Sequence, residues 1–363
     1  MGRRTVLVVD DSPLMRALIA DIVESSEHFD VIGEATTGYQ AIRLVHELEP
    51  DIVTLDLEMP DLHGLDALAY IMTEKPRPVI IVSGQLKSMP EATATAIDYG
   101  AFEFVLKPHG DESREFELLR RRLLAALEAA ATATISNMRL GRAVRAWKRA
   151  QRAAQRAARQ QGADAGPGAA CAVAIAASTG GPRALVELVP HIRADLAAAI
   201  LVVQHMPSTF TKLLAERLDS ASTVAVREAT DGEELVPGAV YIAPGGFHMG
   251  LQRGADGVRI TLEQGDPVWG VRPAADVLFG AVARSFGPRS LGIVLTGMGR
   301  DGAAGLRAIR DVGGWTAVQQ IDSAVIASMP RAAAPFAAEQ LTLDRIPRAI
   351  YEQVAARIRP VEV

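Results

Sequence analysis

The sequence predicts an α/β protein of two domains in tandem: a five-stranded parallel sheet alternating with helices, then a larger, doubly wound and mostly parallel α/β domain. Three observations predict it. The chain has 363 residues, more than one hydrophobic core usually serves. Its first third alternates short apolar runs with amphipathic segments, the pattern of a parallel sheet covered on both faces. After a basic, alanine-rich stretch the alternation resumes, with different motifs at the strand ends.

The first apolar runs are Val6–Val9, Val31–Ala35, Ile52–Leu55, Val79–Val82 and Phe102–Leu106, each short enough to be a buried strand. Between the first two, Leu14, Leu18, Ile22 and Val23 recur at helical spacing. This gives a first domain over residues 1–125. From Ser113 to Gln161 the texture changes to Ala, Arg, Leu and Gln, all good helix formers. No acidic residue lies between Glu128 and Asp164, while basic residues crowd the stretch from Arg139 to Arg159. Residues 126–168 are therefore expected to be a basic helical linker, either a solvated extension of the last helix or a docking helix for an acidic partner. Gly162–Gly168 (GADAGPG) breaks any helix and marks the start of a second domain over 169–363. Its strand-like runs are Ala172–Ala177, Ala198–Val203, Val224–Val226, Val240–Ala243 and Leu291–Leu295. Val240–Ala243, His248–Leu251 and Val258–Leu262 are spaced like the strands of β-hairpins.

Composition excludes several classes. Apolar residues are 49% and charged residues 22%, ordinary for a globular chain, and the formal net charge of -5 gives no reason to expect nucleic acid or an anionic membrane as the main partner. A single cysteine, Cys171, can build neither a disulfide framework nor a thiolate metal site, which fits a reducing cytoplasm. No apolar stretch reaches the length of a membrane span, and the start shows no signal-peptide pattern.

Five residues end the strands of the first domain. Asp10 and Asp11 follow the first strand, Asp56 the third, Ser83 the fourth, and Lys107, with Pro108 behind it, the fifth. In a parallel α/β sheet the carboxyl ends share one edge, so three carboxylates, a hydroxyl and an amine converge. Hard oxygen ligands of this kind suit Mg²⁺, and a carboxylate so placed can attack a phosphoryl donor while metal and lysine neutralise its oxygens. Any one Asp at a strand end is more commonly a helix cap; five positions in register are not.

With Val8–Asp11, Ser12-Pro13, Leu55–Pro60 (LDLEMP), Gly64-Leu65, Val82-Ser83 and Lys107-Pro108, the first domain resembles response-regulator receivers, which have a flavodoxin-like (βα)5 fold. The resemblance implies that a histidine kinase phosphorylates Asp56, that Asp10 and Asp11 help hold Mg²⁺, and that Ser83 and Lys107 contact the phosphoryl group. It places Phe104 at an aromatic switch position. His63 stands where an Asp is more usual, and is expected to cap a helix or point into solvent.

Three motifs follow apolar strands in the second domain: Ser178-Thr179-Gly180-Gly181-Pro182, Gln204-His205-Met206-Pro207, and Thr296-Gly297-Met298-Gly299-Arg300-Asp301-Gly302. Strand-end placement brings Ser178, His205 and Asp301 to one edge. A serine needs a base to become nucleophilic, and the base needs an acid to fix its tautomer. The order Ser, His, Asp and the lack of a G-x-S-x-G elbow match none of the familiar hydrolase signatures. Glycines around Ser178 and Met298 would let backbone N–H groups face a developing oxyanion. On residues alone a serine hydrolase leads, with an anion-binding loop and plain structural turns as alternatives; a Walker loop is excluded because its Gly-Lys-Ser/Thr ending is absent. His248 is a rival base, though a lone His near a hairpin is more often structural.

From Ala174 to Ile358 these motifs resemble the catalytic domain of chemotaxis receptor methylesterases. The resemblance implies hydrolysis of glutamate γ-methyl esters on methyl-accepting chemoreceptors, often with deamidation of receptor glutamines. It makes Ser178 the nucleophile, His205 the base, Asp301 its orienting acid, and the Thr179 and Met298 amides the oxyanion hole, with no cofactor for the esterase. Phosphorylation of Asp56 would relieve blockage of that site by the receiver. Departures occur at Ala176, at Val268-Trp269, near Ile321 and at Ala327-Ser328, where the family usually shows an aromatic-Gly pair. They bear on which receptor or pathway is served, including a non-flagellar one. Two other classes stand beside the enzyme: a phosphorylation-dependent binding module, which would lose one of the three catalytic residues, and a DNA-binding regulator, which would need a helix-turn-helix after Gly168.

Overall fold

The apolar runs become parallel strands because both of their faces are covered. The computed structural model describes residues 2–59, 63–84, 90–108, 113–133, 169–206, 208–254 and 257–358. They divide into two compact units, one up to Ala133 and one from Ala169 onward.

The first unit has strands β1 (Arg4–Val9), β2 (Phe29–Ala35), β3 (Ile52–Leu55), β4 (Val79–Ser83) and β5 (Glu103–Leu106) in the order β2-β1-β3-β4-β5, all parallel. This is the flavodoxin-like order. Every residue of β3 and β4 is buried. Local chemistry starts the helices between them. Ser12 caps Pro13–Glu24 by accepting from Met15 N at 3.4 Å, with Pro13 in the first turn, and Thr37 caps Gly38–Leu48 by accepting from Gln40 N at 3.2 Å. His63 occupies the N-cap position of helix Gly64–Glu74, but its side chain is exposed and makes no capping bond, so of its two expected roles only the solvated one is found. Helix Ser113–Ala131 runs past the expected boundary at 125. The basic part of the expected linker helix, and Gly162–Gly168, lie outside the described residues.

The second unit holds β6 (Cys171–Ala177), β7 (Ala198–Gln204), β8 (Ala225–Glu228), β9 (Ala239–Ile242), β10 (His248–Gly254), β11 (Gly257–Glu263), β12 (Ser290–Val294), β13 (Trp315–Gln319) and β14 (Glu339–Leu341). Seven form one parallel sheet in the order β14-β13-β12-β6-β7-β9-β8, and β10 and β11 pair separately as an antiparallel hairpin. The hairpin reading of Val240–Ala243 is therefore corrected. Beside β10 in sequence, β9 instead lies parallel between β7 and β8, where Val240, Tyr241 and Ile242 gain hydrogen-bonded neighbours on both sides. The strands β13 and β14 extend the sheet beyond what the apolar runs indicated.

From β6 the chain passes to β7, goes on to the edge strand β8, turns back to β9 between β7 and β8, and later crosses to β12, β13 and β14 on the other side of β6. The direction of winding reverses between β6 and β12, which makes the crevice beyond their carboxyl ends the topological switch point, the usual ligand position in such sheets. Helix Ala275–Phe286 covers one face there. Its Leu278, Phe279 and Val282 share a core with Ala174, Ala176, Leu201 and Val294.

Candidate active site

In the second unit the switch-point crevice gathers the three expected residues. Ser178 directly follows β6, His205 directly follows β7, and Asp301 sits in the loop after β12. Backbone bonds lock these ends together: His205 N donates to Ala177 O at 3.1 Å, and Ser178 N donates to Thr296 O at 3.1 Å. His205 Nε2 lies 2.8 Å from Asp301 Oδ2.

Asp301 is buried and accepts more than the histidine. Its Oδ2 takes Ala275 N at 2.6 Å, and its Oδ1 takes Asp276 N at 2.9 Å and Gly302 N at 3.0 Å. Ala275 and Asp276 open helix Ala275–Phe286, whose N-cap residue Ala274 has no side chain to cap it. The carboxylate thus replaces the missing cap and sits at the positive end of the helix dipole. Burial pushes the carboxyl up, but the hydrogen bond and charge of His205 and the Ala275 and Asp276 amides outweigh it and hold Asp301 below its ordinary range. An ionised carboxylate only accepts, so Nε2 is the ring's donor toward it, and in the neutral ring Nδ1 is the nitrogen with the lone pair. No hydrogen bond joins Ser178 Oγ to the ring among the described residues; such bonds commonly tighten only with substrate in place.

The rival, His248, is used up by the fold. It is buried, its Nδ1 accepts from Ala274 N at 3.2 Å, and its Nε2 lies 2.9 Å from the Asp266 carbonyl. With both ring nitrogens engaged it has none left to act as a base.

The glycines near Ser178 answer to geometry. Gly180 has φ +77°, open to glycine at little cost. A Cβ on Gly297 would come within 2.7 Å of Ser178 Cβ and 2.3 Å of Met329 Sδ, so the loop bearing Met298 packs directly against the serine. The segment Ile326–Met329 fixes that loop: Gly297 N donates to Ile326 O at 2.9 Å, Met329 N to Gly297 O at 3.0 Å, and Ser328 Oγ to Gly297 O at 2.9 Å. This support was not read from the sequence. The departures at Ala327-Ser328 fall inside it.

In the first unit the five expected residues also meet. Carboxylate oxygens of Asp10, Asp11 and Asp56 all lie within 4.8 Å of one another. Lys107 Nζ is 2.7 Å from both Asp10 Oδ2 and Asp56 Oδ2. Ser83 is buried at the end of β4, and Phe104 is buried in β5. Burial raises the Asp56 carboxyl to about 6 against the pull of Lys107, with Asp10 adding to the rise. Crowded hard-oxygen donors whose charges are incompletely offset fit a small divalent cation such as Mg²⁺. Gly64 leaves room for this loop, since a Cβ there would meet Asp56 O at 2.1 Å.

Comparison with known proteins finds relatives for both units. Residues 6–116 match the response regulator receiver domain, and residues 173–350 match CheB methylesterase. The chain is 41% identical to a protein-glutamate methylesterase/protein-glutamine glutaminase of Pyrococcus horikoshii, over 98% of this chain and 95% of that one. It is 42% identical to the protein of the same name from Symbiobacterium thermophilum, over 96% and 97%. A crystal structure of the Thermotoga maritima CheB methylesterase catalytic domain matches at 40% identity and TM-score 0.49, covering 50% of this chain and 97% of that one. Fold, paired sites and full-length relatives together mean that the chain belongs to the CheB methylesterase family, carrying a response-regulator receiver domain ahead of the catalytic domain.

Proposed function

We propose that this chain removes γ-methyl esters from chemoreceptor glutamates and deamidates receptor glutamines in chemosensory adaptation, under control of phosphorylation at Asp56. The names of its relatives supply the substrate class. The observation that carries the reading is the His205–Asp301 pair at 2.8 Å, held beside Ser178 at the switch point. Functional boundaries of 1–125 for the receiver, 126–168 for the linker and 169–363 for the esterase accompany it, and cytoplasmic action suits a chain with one buried thiol.

The reaction follows from the tautomer. With Nε2–H held by Asp301, Nδ1 of His205 takes the Ser178 proton as Oγ attacks the ester carbonyl. The carbonyl oxygen gains negative charge and is met by the Thr179 and Met298 N–H groups. The imidazolium then returns its proton to the departing methoxide, releasing methanol, or to the departing nitrogen of a glutamine, releasing ammonia. Water activated by Nδ1 cleaves the acyl-serine, leaving a glutamate carboxylate and a restored Ser178. The ester chemistry calls for no cofactor.

In the receiver, Asp56 takes the phosphoryl group from a histidine kinase, and Ser83 and Lys107 contact its oxygens. Asp10, Asp11 and Asp56 would hold Mg²⁺, which when bound supplies positive charge for the transfer. Phosphorylation relieves a block that the receiver imposes on the esterase. Methanol release from methylated receptor membranes tests the whole reading. Wild type should release methanol and Ser178→Ala should lose several orders of magnitude in rate while still folding. Near-normal turnover in the folded variant would remove Ser178 from the mechanism.

A further inference from the structure

Two peptide units beside Ser178 share one arrangement at their carbonyl ends. The Ser178 carbonyl belongs to the same peptide unit as the Thr179 N–H. It accepts from Gly181 N at 2.7 Å and from the Gln204 side-chain Nε2 at 2.9 Å. The Gly297 carbonyl belongs to the same unit as the Met298 N–H. It accepts from Met329 N at 3.0 Å and from Ser328 Oγ at 2.9 Å. Each carbonyl therefore takes one bond from backbone and one from a side chain. We propose that Gln204 and Ser328 are positioning residues that orient and strengthen the Thr179 and Met298 N–H groups as oxyanion donors. This rests on the assignment of those two amides to the oxyanion hole.

The physical reason lies in the peptide group. Because it is planar, fixing the carbonyl direction fixes the N–H direction. Hydrogen bonds accepted at the oxygen also polarise the amide and strengthen the donor at its other end, by about 10–30% per bond. Donors set in advance toward a developing charge need no reorganisation during the reaction.

Stability alone does not explain Gln204. It is 1% exposed, and its Oε1 has no hydrogen-bond partner. An apolar side chain of similar size would fill the space without a stranded oxygen, so the amide is retained at a cost. Its Nε2 also reaches the His205 carbonyl at 3.3 Å, tying the turn after β6 to the end of β7. A Cβ on Gly181 would lie 2.0 Å from Oε1, so the second glycine of the serine motif makes the room that Gln204 occupies. Ser328 likewise grips both sides of Met298: besides donating to Gly297 O, its Oγ accepts from Gly299 N at 3.1 Å.

The test uses the full chain with a small phosphodonor and methanol release from methylated receptor membranes. Removing a whole oxyanion donor typically costs 10²–10³ in kcat, so weakening one should cost about tenfold. Gln204→Met and Ser328→Ala should each show that loss with KM and the acid limb of the pH–rate profile unchanged, because the His205 ring and its bond to Asp301 involve neither side chain. Acting on separate donors, the double variant should lose about a hundredfold, and Ser328→Thr should recover kcat with the hydroxyl. Lowered melting temperature with kcat within about twofold of wild type would make the two side chains merely structural and overturn the inference, as would a fall in kcat accompanied by a shifted acid limb. If Gln204→Met does not fold, the Ser328→Ala and Ser328→Thr pair decides by itself. Ser178→Ala run alongside separates the two levels. An inactive Ser178→Ala with undiminished Gln204 and Ser328 variants overturns only this inference, whereas an active Ser178→Ala overturns the site assignment beneath it.

Discussion

Asp301→Asn changes one oxygen to an NH2 group and should damage stability and catalysis by separable amounts. The carboxylate accepts four hydrogen bonds, two at each oxygen: Ala275 N and His205 Nε2 at Oδ2, Asp276 N and Gly302 N at Oδ1. An asparagine has one acceptor oxygen, so two donors must face an NH2 group whichever way it turns. Hydrogen bonds to a charged group contribute about 1.5–3 kcal/mol each. The charge at the start of helix Ala275–Phe286 adds about 0.3–1 kcal/mol. Allowing for relaxation, the loss should be roughly 3–5 kcal/mol, the usual cost of breaking a buried charged network. At about 2–4 °C per kcal/mol for a domain of this size, the transition of the catalytic unit should fall by roughly 10 °C. If the NH2 group faces His205, the ring can no longer donate from Nε2, Nδ1 takes the proton and the base is lost, an effect worth about 10⁴ in kcat in the trypsin triad. Thermal melting and methanol release on the same preparation check both parts, with Ser178→Ala as the control that should melt like wild type. An Asp301→Asn protein that melts at the wild-type temperature would refute the capping argument. One that keeps its kcat would refute the tautomer argument.

The other outcomes follow from the same geometry. His205→Gln should abolish turnover as fully as Ser178→Ala and without additivity in the double variant, whereas His248→Gln should chiefly lower stability, by about 1–3 kcal/mol for its stranded partners, and retain activity while folded; the reverse pattern in methanol release would exchange the two roles. Because the folded Asp301 carboxyl is held below its ordinary range, its contribution to stability is complete above about pH 4 and is lost as pH falls through the lower folded value. Acid melting curves should therefore be flatter for Asp301→Asn than for wild type, and parallel curves would show the carboxylate contributing no such term. A phosphodonor should activate the wild-type chain by about 5- to 150-fold, the range of a 1–3 kcal/mol coupling, and should leave Asp56→Ala unchanged; equal activation of both would place the control elsewhere.

Much of this was legible because a parallel strand buried on both faces reads as an unbroken apolar run, and its carboxyl end is marked where polar residues and glycines begin. Both sites lie at such ends, so Asp10, Asp56, Lys107, Ser178 and His205 were locatable from spacing. What escaped is what depends on partners far away in sequence. β13 (WTAVQ) and β14 (EQL) are short and mixed, and β14 is an edge strand with exposed Glu339 and Gln340. β9 was misplaced because five residues separate Ile242 from His248, a hairpin-like spacing, while its true partners are selected by the sheet. The capping role of Asp301 spans a gap of 26 residues to Ala275. A signal for it did exist: helix Ala275–Phe286 begins behind an alanine where Ser, Thr, Asp or Asn would be expected, which implies a cap brought from elsewhere.

The two crevices obey one placement rule yet are electrostatically opposite, and this limits how one can act on the other. In the first unit, three carboxylates gather around a single lysine, and the burial that lifts Asp56 to about 6 leaves a pocket deficient in positive charge. It is set to take a cation and a phosphoryl group. In the second, Asp301 spends its charge on four donors and on fixing the His205 tautomer. The oxyanion donors proposed for that crevice, the Thr179 and Met298 N–H groups, are neutral and would face an anion that exists only during reaction. A phosphoryl group adds about two negative charges. The esterase step separates charge, an oxyanion forming together with the His205 imidazolium, so it gains no net charge on which a remote field could act strongly. Activation by phosphorylation is therefore expected to travel through a change in which conformations the chain occupies, and its size cannot exceed the difference in phosphoryl affinity between them. Salt separates the alternatives: a field acting through solvent fades beyond a Debye length of about 8 Å at physiological ionic strength, whereas a population shift persists. The activation ratio should accordingly hold as ionic strength rises.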